Sequence, residues 1–142
     1  MTETANSSGR IAGIEKSVVV LAIGDLVALI SLLVIGLLSH GISPLSEPAA
    51  SVDTMTPFVL GWVTLSVLAG VYDRNVATSV TRTARLTTVA WIAAANVGLI
   101  LRQSPYFDGG IAWPFGLVMT GTGLLVMVGW RVGYAWITRM SQ

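Results

Sequence analysis

The stretch Val18–His40, VVVLAIGDLVALISLLVIGLLSH, reads as a membrane-spanning helix with one discordant residue, the acid Asp25. A spanning helix needs about 20 apolar residues, because each residue rises about 1.5 Å and the hydrocarbon layer is about 30 Å thick. This run meets that length and holds no proline. It is too long for the apolar segment of a cleavable signal peptide, and an acid inside it argues against that reading too.

The rest of the chain repeats the pattern. Of its 142 residues, 54% are hydrophobic and 11% charged, and the mean hydropathy is +0.76. That is more apolar surface than a water-soluble domain of this size can hide. Four segments are expected to span: Ser17–Ser39, Thr56–Tyr72, Leu86–Leu101 and Ile111–Ile137. Pro57 suits the first turn of the second, where its missing N–H would be unpaired in any case. Arg85 and Arg102 flank the third, the shortest, and their guanidinium groups can extend to the interfaces. The expected architecture is all-α, an antiparallel four-transmembrane-helix bundle. Residues 1–16 form a polar tail, 138–142 a short one, and Ser43–Met55, with Pro44 and Pro48, an irregular loop.

The basic residues orient the bundle. Arg10, Lys16, Arg74, Arg82, Arg85, Arg131 and Arg139 belong to the N-terminus, the middle loop or the C-terminal end, and Arg102 alone falls on the other side. Cytoplasmic loops retain lysine and arginine, so both termini are expected in the cytoplasm, with the chain in the plasma membrane.

Depth along the helices then places Asp25. It lies about 12 Å in from Ser17, and Arg131 about 9 Å in from Ile137, at about 1.5 Å per residue from the same membrane face. An isolated charge in hydrocarbon costs several kcal/mol, so intramembrane charges pair with one another. The first and fourth helices of an up-down-up-down bundle are neighbours, so Asp25 and Arg131 are expected to form a buried ion pair. Such a pair commonly fixes how helices dock without any chemical role, and that reading is preferred to proton handling or ion binding. A third arrangement has Arg131 reaching the headgroups and Asp25 protonated.

Other polar residues carry weaker signals. His40 and Arg102 fall at the outer ends of the first and third helices, where an interfacial histidine and a headgroup-binding arginine are preferred to a metal or proton site with Glu47, Asp53 and Asp108. Asn96, inside the third helix, is expected to hydrogen-bond a neighbouring helix. Gly24 with Ala28, Ala90 with Ala94, and Gly129 with Gly133 have the four-residue spacing of small residues that lets helices approach closely. Pro57-Phe58 and Pro114-Phe115 open two helices that both descend from the outer side, a faint sign of a duplicated hairpin.

Taken in order, Ile23-Gly24-Asp25, Ser39-His40, Pro57-Phe58, Arg102, Pro114-Phe115 and Gly129-Trp130-Arg131 resemble the domain-of-unknown-function family 3054, small membrane proteins of archaea and bacteria. The resemblance covers Ser17–Ile137 and implies four helices; it implies no catalytic residue.

No cysteine is present, which removes disulfides, cysteine nucleophiles and cysteine metal sites. Phosphate loops, dinucleotide fingerprints, zinc-protease helices and lipidation signals are missing as well. The expected role is a non-enzymatic bundle protein without a cofactor or a nucleic-acid partner, embedded in the lipid bilayer, that self-associates as a homo-oligomer or serves as an accessory subunit of a membrane complex. The alternative is a small oligomeric transporter or channel using Asp25, Asn96 and Arg131.

Overall fold

A computed structural model describes residues 2–77, 79–110 and 113–141. The helices are α1 (Thr2–Ser39), α2 (Pro48–Leu68), the single turn α3 (Arg74–Ala77), α4 (Val80–Arg102) and α5 (Phe115–Met140), with no strand among the described residues. α1, α2, α4 and α5 are each long and apolar enough to cross a membrane. In the bundle α1 packs on α2, α2 on α4, α4 on α5, and α5 closes the ring on α1. With four alternating helices, both chain ends lie at one end of the bundle, called here the termini end; the α1–α2 and α4–α5 connections lie at the far end.

Helix boundaries differ from the sequence expectation for local reasons. α1 runs back to Thr2, through the segment 1–16 expected as a tail. No proline interrupts that segment, and the Ser7 and Ser8 hydroxyls both donate to the Thr4 carbonyl, an arrangement a continuous helix satisfies. α2 begins at Pro48 instead of Thr56, since a proline is suited to the first helical turn; Pro57 accordingly sits inside the helix, not at its start. More than half of the loop expected to be irregular, Pro48–Met55, is therefore helical, and Ser51 within it is buried. α4 starts at Val80, where the Ser79 hydroxyl caps it by accepting from the Arg82 N–H. Ile111 and Ala112, where the fourth helix was expected to begin, lie outside the described residues, as does Gln142; α5 starts at Phe115, after a cis Trp113–Pro114 peptide.

Two helices end alike. At the end of α1, Gly41 has φ +78°, and at the end of α2 Gly70 has φ +71°. Gly41 N–H donates to Leu38 O and Ile42 N–H to Leu37 O, while Gly70 N–H donates to Val67 O and Val71 N–H to Ser66 O. Both are Schellman motifs, which satisfy the last carbonyls and turn the chain sharply through a left-handed glycine. The second delivers Val71 and Tyr72 straight into the bundle, with Val71 fully buried.

The interior is unusually ordered along the helices. α1 buries Leu21, Asp25, Leu29, Leu33 and Leu37, and α5 buries Met119, Gly123, Met127, Arg131 and Ala135, every fourth residue in each case. Each stripe is one i, i+4 ridge facing the core. On α4, Ala90, Ala94 and Gly98 form a similar row, which admits α2: a β-carbon on Gly61 would fall 2.5 Å from the Ala94 carbonyl oxygen, and one on Gly98 would meet the Phe58 ring. Trp62 and Trp91, 6.3 Å apart between ring centroids, fill the centre, whereas Trp113 and Trp136 are exposed.

Candidate functional site: a buried acid–arginine network

Asp25 takes the place of a leucine in the buried stripe of α1, and Arg131 stands at the matching place in the stripe of α5. Their side chains are 0% and 1% exposed, so the two charges meet where no solvent reaches either of them. Arg131 Nε donates to Asp25 Oδ1 at 2.8 Å and Nη2 to Oδ2 at 2.5 Å, a two-pronged pairing of guanidinium with carboxylate. The expected pair is present, and the arrangement with Arg131 at the headgroups is not.

Two further donors complete the carboxylate. Trp130 Nε1 donates to Oδ1 at 3.1 Å, and the Tyr72 hydroxyl to Oδ2 at 2.6 Å. Each Asp25 oxygen thus accepts two hydrogen bonds, which fills the roughly four lone-pair sites a carboxylate offers. The remaining arginine nitrogen, Nη1, donates to the Val71 carbonyl at 2.9 Å, and the guanidinium carbon sits 4.7 Å from the centre of the Tyr72 ring. Burial first, then the hydrogen bond to Asp25 and its negative charge, push the Tyr72 phenol up to about 12, against a lowering by Arg131, so it remains a proton donor at neutral pH.

Three elements make this geometry. α1 supplies the acid, α5 the adjacent Trp130 and Arg131, and the turn after α2 supplies Val71 and Tyr72. The Trp130 indole reaches Asp25 because Gly24 leaves room for it: a β-carbon there would lie inside the ring. Val71 and Tyr72 were not anticipated as partners. The signal available was Gly70 directly before them, which forces a turn that carries the next residues back against the helix ends.

The other expected residues are not brought to this network. Asn96 is exposed and its amide donates to Ile92 O of its own helix at 2.7 Å, because the wide buried face of α4 is taken by Ala94, Ala95 and Gly98 and Asn96 points the other way. The expected bond to a neighbouring helix is therefore absent. His40 and Arg102 instead both line one cavity at the far end, between α1 and α5. The Arg102 guanidinium carbon lies 5.3 Å from the centre of the Phe115 ring. Among the described residues, no three histidine, aspartate or glutamate side chains are close enough to hold a metal ion. Phe58 and Phe115, the paired phenylalanines of the two Pro-Phe motifs, touch edge to face at 6.2 Å; Pro57 is inside a helix and Pro114 before one, so the motifs play different local parts.

A family model described as a protein of unknown function, DUF3054, matches residues 22–134, a span that takes in both Asp25 and Arg131. No curated protein and no solved structure matches the chain.

Proposed function

We propose that this chain, which belongs to the DUF3054 family of proteins of unknown function, is a non-enzymatic membrane protein that works by association, with copies of itself or as an accessory subunit of a membrane complex. The observation that carries this reading is the saturation of Asp25: both carboxylate oxygens are fully engaged by the protein's own donors, in a place without solvent. A carboxylate so engaged has no lone pair for a cation and no water to exchange a proton with, so it serves docking of α1 on α5 instead of transport or catalysis.

Support for association comes from the outer face of α5. A β-carbon at Gly129 or Gly133 would meet nothing within 4 Å, so the small residues spaced for close helix approach are not used inside the bundle. The excess of basic residues at the termini end, six without Arg131 (Arg10, Lys16, Arg74, Arg82, Arg85, Arg139) against Arg102, supports an orientation with both ends in the cytoplasm and residence in the plasma membrane.

The test is the assembly state of the full chain in native-like membranes, read by chemical cross-linking and by single-molecule photobleaching, in wild type and in a Gly129→Leu, Gly133→Leu double variant. Oligomers or a stoichiometric membrane partner, lost in the double variant, are expected. A lone monomer in both would sink the proposal, and proton or ion flux in proteoliposomes that Asp25→Asn abolishes would put the transporter reading in its place.

A further inference from the structure

α1 and α5 are drawn together at the termini end by the Asp25–Arg131 pair and by the Trp130 indole resting on Gly24. At the far end the same two helices enclose a cavity of about 610 Å³, within the range of about 300–1,000 Å³ in which proteins hold small ligands. Its walls are apolar, made by Leu33 and Leu37 of α1 and Val118 and Met119 of α5, and Gly36 contributes a bare stretch of helix. Ile35, Leu38, Leu117 and Val118 beside it are more than half exposed, so the space opens onto an apolar stretch of the bundle's outer surface.

One cation borders this apolar space at the end of α4. Arg102 Nε and Nη1 are buried, and neither has a hydrogen-bond acceptor. Phe115 supports the guanidinium from one side, and Gly109 lies so close that a β-carbon there would overlap it, but neither offers an acceptor to those two donors. Asp53 attracts Arg102 electrostatically without forming an ion pair or a hydrogen bond with it. Buried guanidinium donors without acceptors are costly, and the oxygens that fit their planar fork best are those of phosphate or carboxylate. His40 stands on the rim, where its imidazole can donate to a second oxygen of the same group.

We infer that this cavity is a binding site for an anionic phospholipid, with its phosphate on Arg102 and an acyl chain between α1 and α5. A soluble anion would satisfy the arginine and leave the apolar walls unfilled; a neutral lipid would fill the walls and leave the arginine unpaired. An anionic amphiphile does both. The inference rests on the far end of the bundle and on no part of the association proposed above.

The test uses the delipidated full chain in a maltoside detergent, with lipid binding read by native mass spectrometry and by thermal shift. Phosphatidylglycerol is compared with phosphatidylcholine of the same chains, and inorganic phosphate is the soluble control. Wild type is expected to bind phosphatidylglycerol at least tenfold more tightly than phosphatidylcholine and to show no shift with phosphate. Arg102→Gln should erase that preference, while Arg102→Lys, which keeps the charge but not the fork, should retain part of it. Gly36→Leu provides a variant that keeps the fold, since a β-carbon there meets nothing within 4 Å; its side chain fills the cavity and should weaken both lipids. Equal binding of the two lipids by wild type, unchanged phosphatidylglycerol binding in Arg102→Gln or Gly36→Leu, or saturation by phosphate alone would overturn the inference.

Discussion

Removing either partner of the Asp25–Arg131 pair leaves the other charge in a place with no water to take it up. Breaking a buried pair from one side typically costs about 3–5 kcal/mol, whereas replacing both partners by apolar residues is often close to neutral. Asp25→Asn and Arg131→Leu should therefore each lower thermal stability in detergent markedly, and the double variant Asp25→Leu, Arg131→Leu should recover part of the loss. Recovery should be incomplete, because the Tyr72 hydroxyl and Trp130 Nε1 lose their acceptor in the double variant. Strictly additive losses would show that the two side chains are not coupled. Tyr72 adds a pH dependence. Its proton is held from 10.0 up to about 12 in the fold, so its contribution is fully present below pH 10 and is lost as pH rises from there towards 12. Wild type should lose stability steeply across that interval, and Tyr72→Phe, already weaker by about 1–3 kcal/mol for the lost bond to a charged group, should show a flatter alkaline profile. Equal alkaline profiles in the two proteins would remove Tyr72 from the network.

Along the helices, glycine acts in two opposite ways, and the contrast can be measured on α5 alone. Gly123 faces the core, where a β-carbon would fall inside the Trp91 indole, whose Nε1 donates to the Thr120 carbonyl of the same helix at 2.9 Å. Gly129 is on the outside with nothing near it. Gly123→Ala should destabilise the bundle by about 1–3 kcal/mol through overpacking, and Gly129→Ala should leave the isolated bundle as stable or slightly more so, since alanine favours helix by up to about 1 kcal/mol over glycine. Thermal unfolding of the two variants side by side decides the point; similar losses would mean that the outer face of α5 is packed.

For the whole molecule, the proposed topology, in which all four long apolar helices cross the membrane, puts residues 2–16 and the end of α5 on the same side of it. Cysteine-free as it is, the chain allows single cysteines to be introduced at Ser8, at Ser141 and at Ser46 and labelled in intact cells with an impermeant maleimide. Ser46 should label from outside and the other two only after permeabilisation. Labelling of Ser8 and Ser46 from the same side would break the four-span topology, and labelling of Ser8 and Ser141 from outside would invert the orientation.

Four spans, their order and the pairing of Asp25 with Arg131 were legible in the chain, because hydrocarbon imposes rules that act on single residues: each span must be apolar for about 20 residues, and a charge within it must find its opposite at the same depth. The stripes Leu21-Asp25-Leu29-Leu33-Leu37 and Met119-Gly123-Met127-Arg131-Ala135 carry that pairing in plain four-residue spacing. The chain placed helix ends less well, since Pro48 and Pro57 both suit a first turn and residues 2–16 are largely polar, with Gly9 and Gly13 among them, yet hold no proline. Asn96 shows why polarity within a span is a weaker guide than charge: an amide can satisfy itself on its own helix and face outward, as its bond to Ile92 does, whereas a carboxylate has no such escape. The tertiary arrangement alone brought Tyr72 and Val71 to the pair, because a turn through Gly70 joins residues 47 positions apart in sequence. It alone put His40 and Arg102 around one cavity, because that shared lining depends on where α1 and α5 separate, a matter of side-chain volumes across two helices far apart in the chain.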